Sequence, residues 1–142
     1  MKVRMTRVDK GLPLPAYHTP GAVAFDLYPR VSAVIPPRET VLLPANFIIE
    51  VPEGYALILA NRSGTGKKKG LTMANGIGVI DQDYHGPQDE IHLLVRNFTD
   101  QPVKVERGER IAQGFIVPVE RAEFEELAEM KKDSRGGFGS TG

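Results

Sequence analysis

Two carboxylates separated by a single residue stand near the middle of the chain, in the stretch NGIGVIDQDYHG. In an extended strand, Asp81 and Asp83 would point to the same face. Carboxylates arranged in this way can bind a divalent cation, or one can raise the pKa of the other so that it acts as a base near neutral pH. An Asp-rich turn explains the same residues equally well.

The same stretch begins with a strong hairpin signal, Asn75 followed by Gly76. Gly78 adds a second position that tolerates unusual backbone angles. A hairpin with such a tip can present backbone amides and carbonyls to a planar base.

The segment RSGTGKKKG follows an apolar run and combines the side chains that hold phosphate. Arg62 can bind phosphate bidentately, Ser63 can donate its hydroxyl, and the Gly64 amide is open to close approach. A polar hairpin turn with a solvated lysine run is the favoured interpretation of this segment taken alone. It is not a P-loop, because Lys67 is followed by lysine rather than serine or threonine.

Two weaker candidates lie closer to the C-terminus. The motif GERIAQG places Arg110 and Gln113 around an apolar pair, although a turn into a strand is the simpler interpretation. In RGGFGSTG, glycines surround Phe138, whose ring could close over a flat ligand while Ser140 and Thr141 donate to phosphates. An unstructured chain end explains the same residues.

Asp26 lies among apolar residues in AVAFDLY, which predicts a carboxylate in a half-buried strand. Such a charge needs a partner, and the simplest one is an arginine in a structural salt bridge. The alternative is an outer-shell group near a metal ion. The histidines have no metal-ligand spacing and are interpreted as structural or solvated: His18, His85 and His92.

Fifteen glycines and eleven prolines divide the chain into short pieces, which favours an all-β fold of short strands and turns. Alternating or apolar runs predict strands over residues 3–8, 40–43, 47–51, 55–61, 91–95 and 110–119.

One segment has helical spacing instead: Phe124, Leu127, Ala128 and Met130 recur within EFEELAEMKK, which predicts a short helix. We expect a single domain over residues 1–132. Residues 133–142 are rich in glycine and serine and should form a mobile tail.

Composition excludes several classes of protein. The chain of 142 residues contains no cysteine, so any metal must be held by oxygen or imidazole. The charges of eighteen basic and eighteen acidic residues cancel, so the net charge of the chain does not attract nucleic acid or an anionic membrane. With neither a signal peptide nor a long apolar run, the sequence predicts a soluble cytoplasmic protein.

Taken together, the motifs resemble those of the trimeric dUTPase family in both order and spacing. PGAVAFDLY is similar to the first family motif, NRSGTGKKKG to the second, NGIGVIDQDYHG to the third, GERIAQG to the fourth and RGGFGSTG to the fifth. The resemblance implies a small, distorted jelly-roll-like (β-clip) barrel with a flexible glycine-rich tail. It also implies a homotrimer with active sites at subunit interfaces, and hydrolysis of dUTP to dUMP and pyrophosphate with Mg²⁺.

The resemblance also implies a role for each site residue. Asp81 matches the carboxylate that activates the attacking water, and Tyr84 matches the ring that lies against deoxyribose. Asp26 would act from the outer shell of the metal ion, which it would contact through a water molecule. The residues that match substrate-binding positions are Arg62, Ser63, Gly64, Asn75, Gly78, Ile80, Tyr84, Gln113, Arg135, Phe138, Gly139 and Ser140.

The chain departs from the family pattern in two places. Asp133 stands where the last motif usually has an arginine, so either Arg135 reaches the γ-phosphate by another path or that contact is weakened. The segment GPQDEIHLLVRN is longer than usual, which suggests a loop extension.

Three rival functions are less well supported. A related dCTP deaminase would need a glutamate where this chain has Leu94, since an apolar residue cannot move a proton. A non-catalytic trimeric binding module would be expected to lack Asp81 or Tyr84. A nucleic-acid-binding module is suggested only by the lysine run 67–69.

Overall fold

The computed structural model describes residues 1–137, and almost all of its regular structure is β-strand. The elements in this range are β1 (Arg4–Arg7), β2 (Phe25–Leu27), β3 (Ala33–Ile35), β4 (Thr40–Pro44), β5 (Phe47–Glu50), β6 (Tyr55–Asn61), α1 (Ser63–Lys69), β7 (Leu71–Met73), β8 (Gly78–Ile80), β9 (His92–Asn97), β10 (Val103–Val105) and β11 (Ala112–Pro118). They form four small antiparallel sheets with the strand orders β1-β5, β10-β3, β2-β11-β6-β8 and β4-β9-β7. The predicted all-β, jelly-roll-like fold is confirmed.

The sheets enclose one apolar core. Phe47, Leu57 and Leu93 are fully buried within it, and they come from three different sheets. Each of the six predicted strands is present, with ends that differ by no more than a few residues. The three-residue strands β3, β7 and β10 were not predicted, because runs this short have no readable periodicity.

The longest pairing joins β6 to β11, in register from Ala112 opposite Asn61 to Pro118 opposite Tyr55. Gly114 lies in the middle of β11, and the ring of Phe25 from β2 packs directly over it. A Cβ at this glycine would lie 2.9 Å from Phe25 Cε2 and 3.2 Å from Leu57 Cδ1. The missing side chain therefore lets β2 and β6 pack closely on either side of β11.

The segment RSGTGKKKG is a short helix rather than the turn that its composition favoured. The buried hydroxyl of Thr65 donates to the Ile111 carbonyl at 2.8 Å, which ties α1 to the chain just before β11. Gly70 ends the helix in the left-handed conformation, with φ of 66°, and its amide donates to the Gly66 carbonyl. Three lysines in the last turn complement the helix dipole.

The predicted hairpin at Asn75 and Gly76 is wrong, although a turn does form there. β7 and β8 flank this turn but belong to different sheets, where β7 pairs with β9 and β8 with β6. Gly78 is needed for close packing rather than for unusual backbone angles, because a Cβ would lie 3.1 Å from the side chain of Leu59.

The predicted helix over residues 124–130 is also wrong. This segment has no regular structure, and Phe124 and Met130 are 94% and 84% exposed. Its residues favour helix individually, but an isolated helix this short is unstable without a packing partner. In the described part of the chain, no helix is long and apolar enough to cross a membrane.

The close approach at Gly114 leads to a test of stability. Gly114→Ala should lower the free energy of unfolding by about 1–3 kcal/mol, because the new methyl group overpacks the core against Phe25. Gly21→Ala is the matched control, since nothing lies within 4 Å of its Cβ position. Denaturant unfolding measures both, and equal stability of the two variants would contradict the packing described here.

Candidate active site

A buried carboxylate, Asp26, organises one end of the candidate site. Its two oxygens face three cationic or imidazole partners: Arg62 Nε at 2.7 Å, Arg110 Nη1 at 3.2 Å and His18 Nε2 at 3.0 Å. Arg62 also donates to the Arg110 carbonyl at 3.0 Å. The expectation that Asp26 needs a cationic partner is confirmed, and the two guanidinium groups are held together by it.

The β-sheet register explains why these groups meet. Asp26 in β2 lies opposite Gln113 in β11, and Gln113 lies opposite Ala60 near the end of β6. The Gln113 amide donates to the Asn61 carbonyl at 2.9 Å, directly before Arg62. Motifs far apart in sequence therefore converge at one edge of the four-stranded sheet.

A basic cleft of about 400 Å³ opens beside this cluster, a volume typical of small-ligand sites. Ser63 and Gly64 line it at the start of α1, together with Lys68. A Cβ at Gly64 would meet only the flexible Lys68 side chain, at 3.6 Å, so the glycine amide is not crowded. The remaining lining residues are Arg62, Thr65, Lys69, Glu109, Arg110 and Ile111.

The cleft keeps a positive excess despite two acidic neighbours, Glu109 and Asp26. Lys69 Nζ pairs with Glu109 Oε1 at 2.5 Å and also donates to the Lys104 carbonyl at 2.8 Å. Arg62, Arg110 and Lys68 also line the cleft, and the neighbouring Asp26 balances only one of their three charges. A bound anion would therefore meet uncompensated positive charge and open hydrogen-bond donors.

Asp81 occupies the opposite end of β6. β8 ends at Ile80, which lies across from Leu57, and Asp81 begins a turn in which the Tyr84 amide donates to the Asp81 carbonyl at 3.4 Å. Asp81 and Asp83 line a second cleft with Tyr55 at the start of β6. Both carboxylates are exposed, and they lie in this turn rather than in the extended strand that the sequence suggested.

Tyr84 is fixed at its hydroxyl, which donates to the Glu90 carbonyl at 3.1 Å, while the residue stays 37% exposed. Asn75 is exposed in the turn before β8, Gly78 is buried, and Ile80 is half-buried. Because β8 runs antiparallel to β6, Tyr84 follows Asp81 beyond one end of β8, whereas Gly78 and the Asn75 turn lie toward its other end. Exposed backbone at such a turn is accessible to a flat ligand.

Asp81 and Ser63 are far apart within one chain. Asp81 follows the Ile80–Leu57 pair near the beginning of β6, whereas Ser63 follows the end of that strand. At about 3.3 Å of rise per residue, the two groups are separated by roughly 20 Å. The two clefts in one chain therefore cannot contact the same phosphate.

The remaining predicted residues lie in the C-terminal segment. Arg135 is exposed in a stretch without regular structure. Phe138, Gly139 and Ser140 lie outside the described residues.

Several residues that line these clefts are not among the predicted substrate-binding residues, and three of them are cations whose charge could serve the site. Arg110 and Lys68 line the basic cleft, and Arg121 lines the cleft of Asp81. Arg110 was noted beside Gln113 in GERIAQG but was given no role, whereas nothing around Arg121 or Lys68 distinguishes either from other surface cations. His18 was interpreted as structural or solvated, and its contact with Asp26 is consistent with the structural role.

The Asp26 cluster leads to a second test. Asp26→Asn should lower the free energy of unfolding by about 1.5–3 kcal/mol, because the neutral amide weakens the charged hydrogen bonds to two half-exposed arginines. Asp100→Asn is the control: Asp100 pairs with Arg38 at 2.8 Å but is 81% exposed, so its loss should cost less than about 1 kcal/mol. Similar losses in both variants would show that the Asp26 cluster does not stabilise the fold.

Comparisons with known proteins agree with the resemblance seen in the motifs. The chain is 43% identical to the deoxyuridine 5'-triphosphate nucleotidohydrolase of Hydrogenobaculum, over 100% of this chain and 99% of that protein. Its structure is similar to the crystal structure of the dUTPase from Streptococcus mutans, with a TM-score of 0.78 and 32% identity over 87% of this chain and 100% of that one. The dUTPase of Staphylococcus bacteriophage 80alpha, solved with dUPNHPP, has the same fold, with a TM-score of 0.87 at 24% identity over 99% and 98% of the two chains. The family model described as dUTPase matches residues 10–142, and the chain therefore belongs to the dUTPase family.

Proposed function

We propose that this protein hydrolyses dUTP to dUMP and pyrophosphate, and that it does so as a homotrimer whose active sites form between subunits. Family membership and the names of its relatives support the substrate. One observation of this chain supports the assembly: its two candidate clefts lie at opposite ends of β6. A second copy would bring the phosphate-binding end of one chain to the Asp81 end of another. A cytoplasmic location stays a prediction.

Asp81 is the proposed general base. Its exposed carboxylate would orient a water molecule and accept its proton while the water oxygen attacks the α-phosphorus. The bond from the α-phosphorus to the bridging oxygen then breaks, and pyrophosphate leaves. Asp83 lies in the same turn but has no assigned step.

The β8 segment and Tyr84 would bind the nucleoside. The exposed Asn75 side chain and the backbone of Gly78 and Ile80 would read the uracil edge, since β8 is the edge strand of its sheet. The ring of Tyr84, held through its hydroxyl, would lie against deoxyribose and leave no space for a 2′-hydroxyl.

The other end of β6 would bind the phosphates. Ser63 and the Gly64 amide would hold the bridging oxygen and the departing phosphates, where charge accumulates as the bond breaks. Arg62 would pair with phosphate oxygens from its position beside Asp26. Gln113 would support this end through its bond to the Asn61 carbonyl.

The residues fit a magnesium ion that arrives with the triphosphate. No group of three or more acidic or histidine side chains within residues 1–137 is arranged to hold a metal. Mg²⁺ is commonly bound through substrate phosphates and waters, with only one or two carboxylates from the protein. Asp26, engaged by Arg62 and Arg110, would act from the outer shell. Bound there, the ion would neutralise charge on the phosphates.

The C-terminal tail would complete the site. Phe138 would stack on uracil, while Gly139 and Ser140 would donate to the phosphates. Arg135 is the proposed replacement for the arginine that the family usually has where this chain has Asp133.

The role of Asp81 leads to a kinetic test. Asp81→Asn should lower kcat for dUTP by about 10²- to 10⁴-fold while leaving nucleotide binding largely intact, because only proton transfer is lost. Asp83→Asn, in the same exposed turn, is the control and should stay within a few-fold of wild type. The assay incubates each deoxynucleoside triphosphate with Mg²⁺ and scores pyrophosphate and ammonia separately. Ammonia release from dCTP would support the deaminase instead.

Subunit mixing tests the composite site. Asp81→Asn and Ser63→Ala chains should each be weakly active alone. Unfolding and refolding them together should restore activity at about a quarter of the sites by random assortment, because some sites receive an intact residue from each neighbour. Light scattering should report a trimer. Activity that never exceeds the average of the two parents would contradict a site shared between subunits.

A further inference from the structure

The acceptor of the Tyr84 hydroxyl is itself held by a partly buried ion pair. Tyr84 donates to the main-chain carbonyl of Glu90 at 3.1 Å. The same carbonyl lies 2.7 Å from His92 Nδ1. Any movement of the Glu90 backbone would therefore move the far end of the tyrosine side chain.

The Glu90 side chain is only 10% exposed and is bound on two sides. Arg30 Nε donates to both of its carboxylate oxygens, at 2.8 and 3.1 Å, and the Asn46 amide donates to one of them at 2.8 Å. Hydrogen bonding to Glu90 raises the pKa of Arg30, so the guanidinium keeps its charge. Burying a carboxylate this deeply is costly unless donors surround it, and Glu90 has donors on two sides.

The turn that supplies the Asn46 amide is also rigid. Asn46 is fully buried with φ of 71°, and its side chain exchanges hydrogen bonds with the Asp9 backbone at 2.6 and 3.1 Å. On either side of it, Ala45 donates to the Ile91 carbonyl and Ile91 donates to the Phe47 carbonyl, both at 2.8 Å. Glu90 is thus fixed through its own side chain and through the backbone of the next residue.

We propose that the Arg30–Glu90 pair positions the Tyr84 ring and thereby sets the selectivity of the enzyme for deoxyribose over ribose. This inference rests on the proposed function, in which the ring excludes the 2′-hydroxyl. A ring can exclude a hydroxyl group only if it cannot retreat, and Tyr84 is 37% exposed, so packing alone does not hold it. Its hydroxyl bond to the Glu90 carbonyl supplies the missing constraint. Arg30 and Glu90 are positioning residues, because they act through Tyr84.

The test compares kcat/KM for dUTP with that for UTP in three variants. Arg30→Met and Glu90→Gln weaken the ion pair, and Tyr84→Phe removes only the hydroxyl. Each should lower the dUTP-to-UTP ratio by about 3- to 10-fold, the effect expected from one net hydrogen bond. The change should come mainly from faster UTP turnover. Arg38→Met is the control: it breaks the exposed Arg38–Asp100 pair, contacts neither Tyr84 nor Glu90, and should leave the ratio unchanged.

A double-mutant cycle separates positioning from general destabilisation. If the pair acts through the hydroxyl, adding Arg30→Met to Tyr84→Phe should cause no further loss of selectivity. An unchanged ratio in Arg30→Met or Tyr84→Phe, or additive losses in the double variant, would overturn the inference. A wild-type protein that does not hydrolyse dUTP would instead refute the proposed function. Tyr84→Phe keeps the inference testable if the Glu90 variant fails to fold, because its side chain lies at the surface.

Discussion

Seven consecutive residue pairs join β6 to β11, and most of the candidate active site is attached to this pairing. Arg62 and Ser63 continue from the end of β6, and Asp81 follows β8, which pairs with the beginning of β6. Asp26 is carried by β2 on the other side of β11. Because side chains alternate along a strand, a slip of one residue would turn Gln113 away from Asn61 and separate Asp26 from its arginines. The register therefore determines the geometry of both clefts.

The pairing also depends on two glycines, whose lack of a side chain lets neighbouring strands approach closely. Gly114 gives the Phe25 ring room over β11, and Gly78 lets β8 approach Leu59. A sheet of ordinary side chains would push β2 and β8 outward, and with them the two groups of site residues. In this fold, the same glycine contacts that allow the core to pack closely also place the site residues.

Much of this arrangement could be predicted from the sequence, but only where the signal is local. The apolar run of β6 predicts its strand with the correct ends, and the apolar neighbours of Asp26 predict that its charge needs a partner. The α1 helix could not be predicted, since Gly64 and Gly66 disfavour helix and the Thr65 bond to Ile111 joins distant parts of the chain. For the segment around Phe124 the error is the reverse: its residues favour a helix, but the helix is absent because no surface in the described chain covers it. The three partners of Asp26 and the Glu90 network likewise depend on contacts between distant residues.

The contacts of Asp26 also change the entropy of binding at the basic cleft. A free arginine side chain has about 2 kcal/mol of rotamer entropy to lose when it is immobilised. Arg62 and Arg110 are already restrained by the carboxylate and by the Arg62 bond to the Arg110 backbone, so much of this entropy is lost when the chain folds. An arriving anion then meets donors that need little further ordering. The buried carboxylate of Asp26, which binds the same guanidinium groups as the ligand would, thus prepares these arginines to receive it.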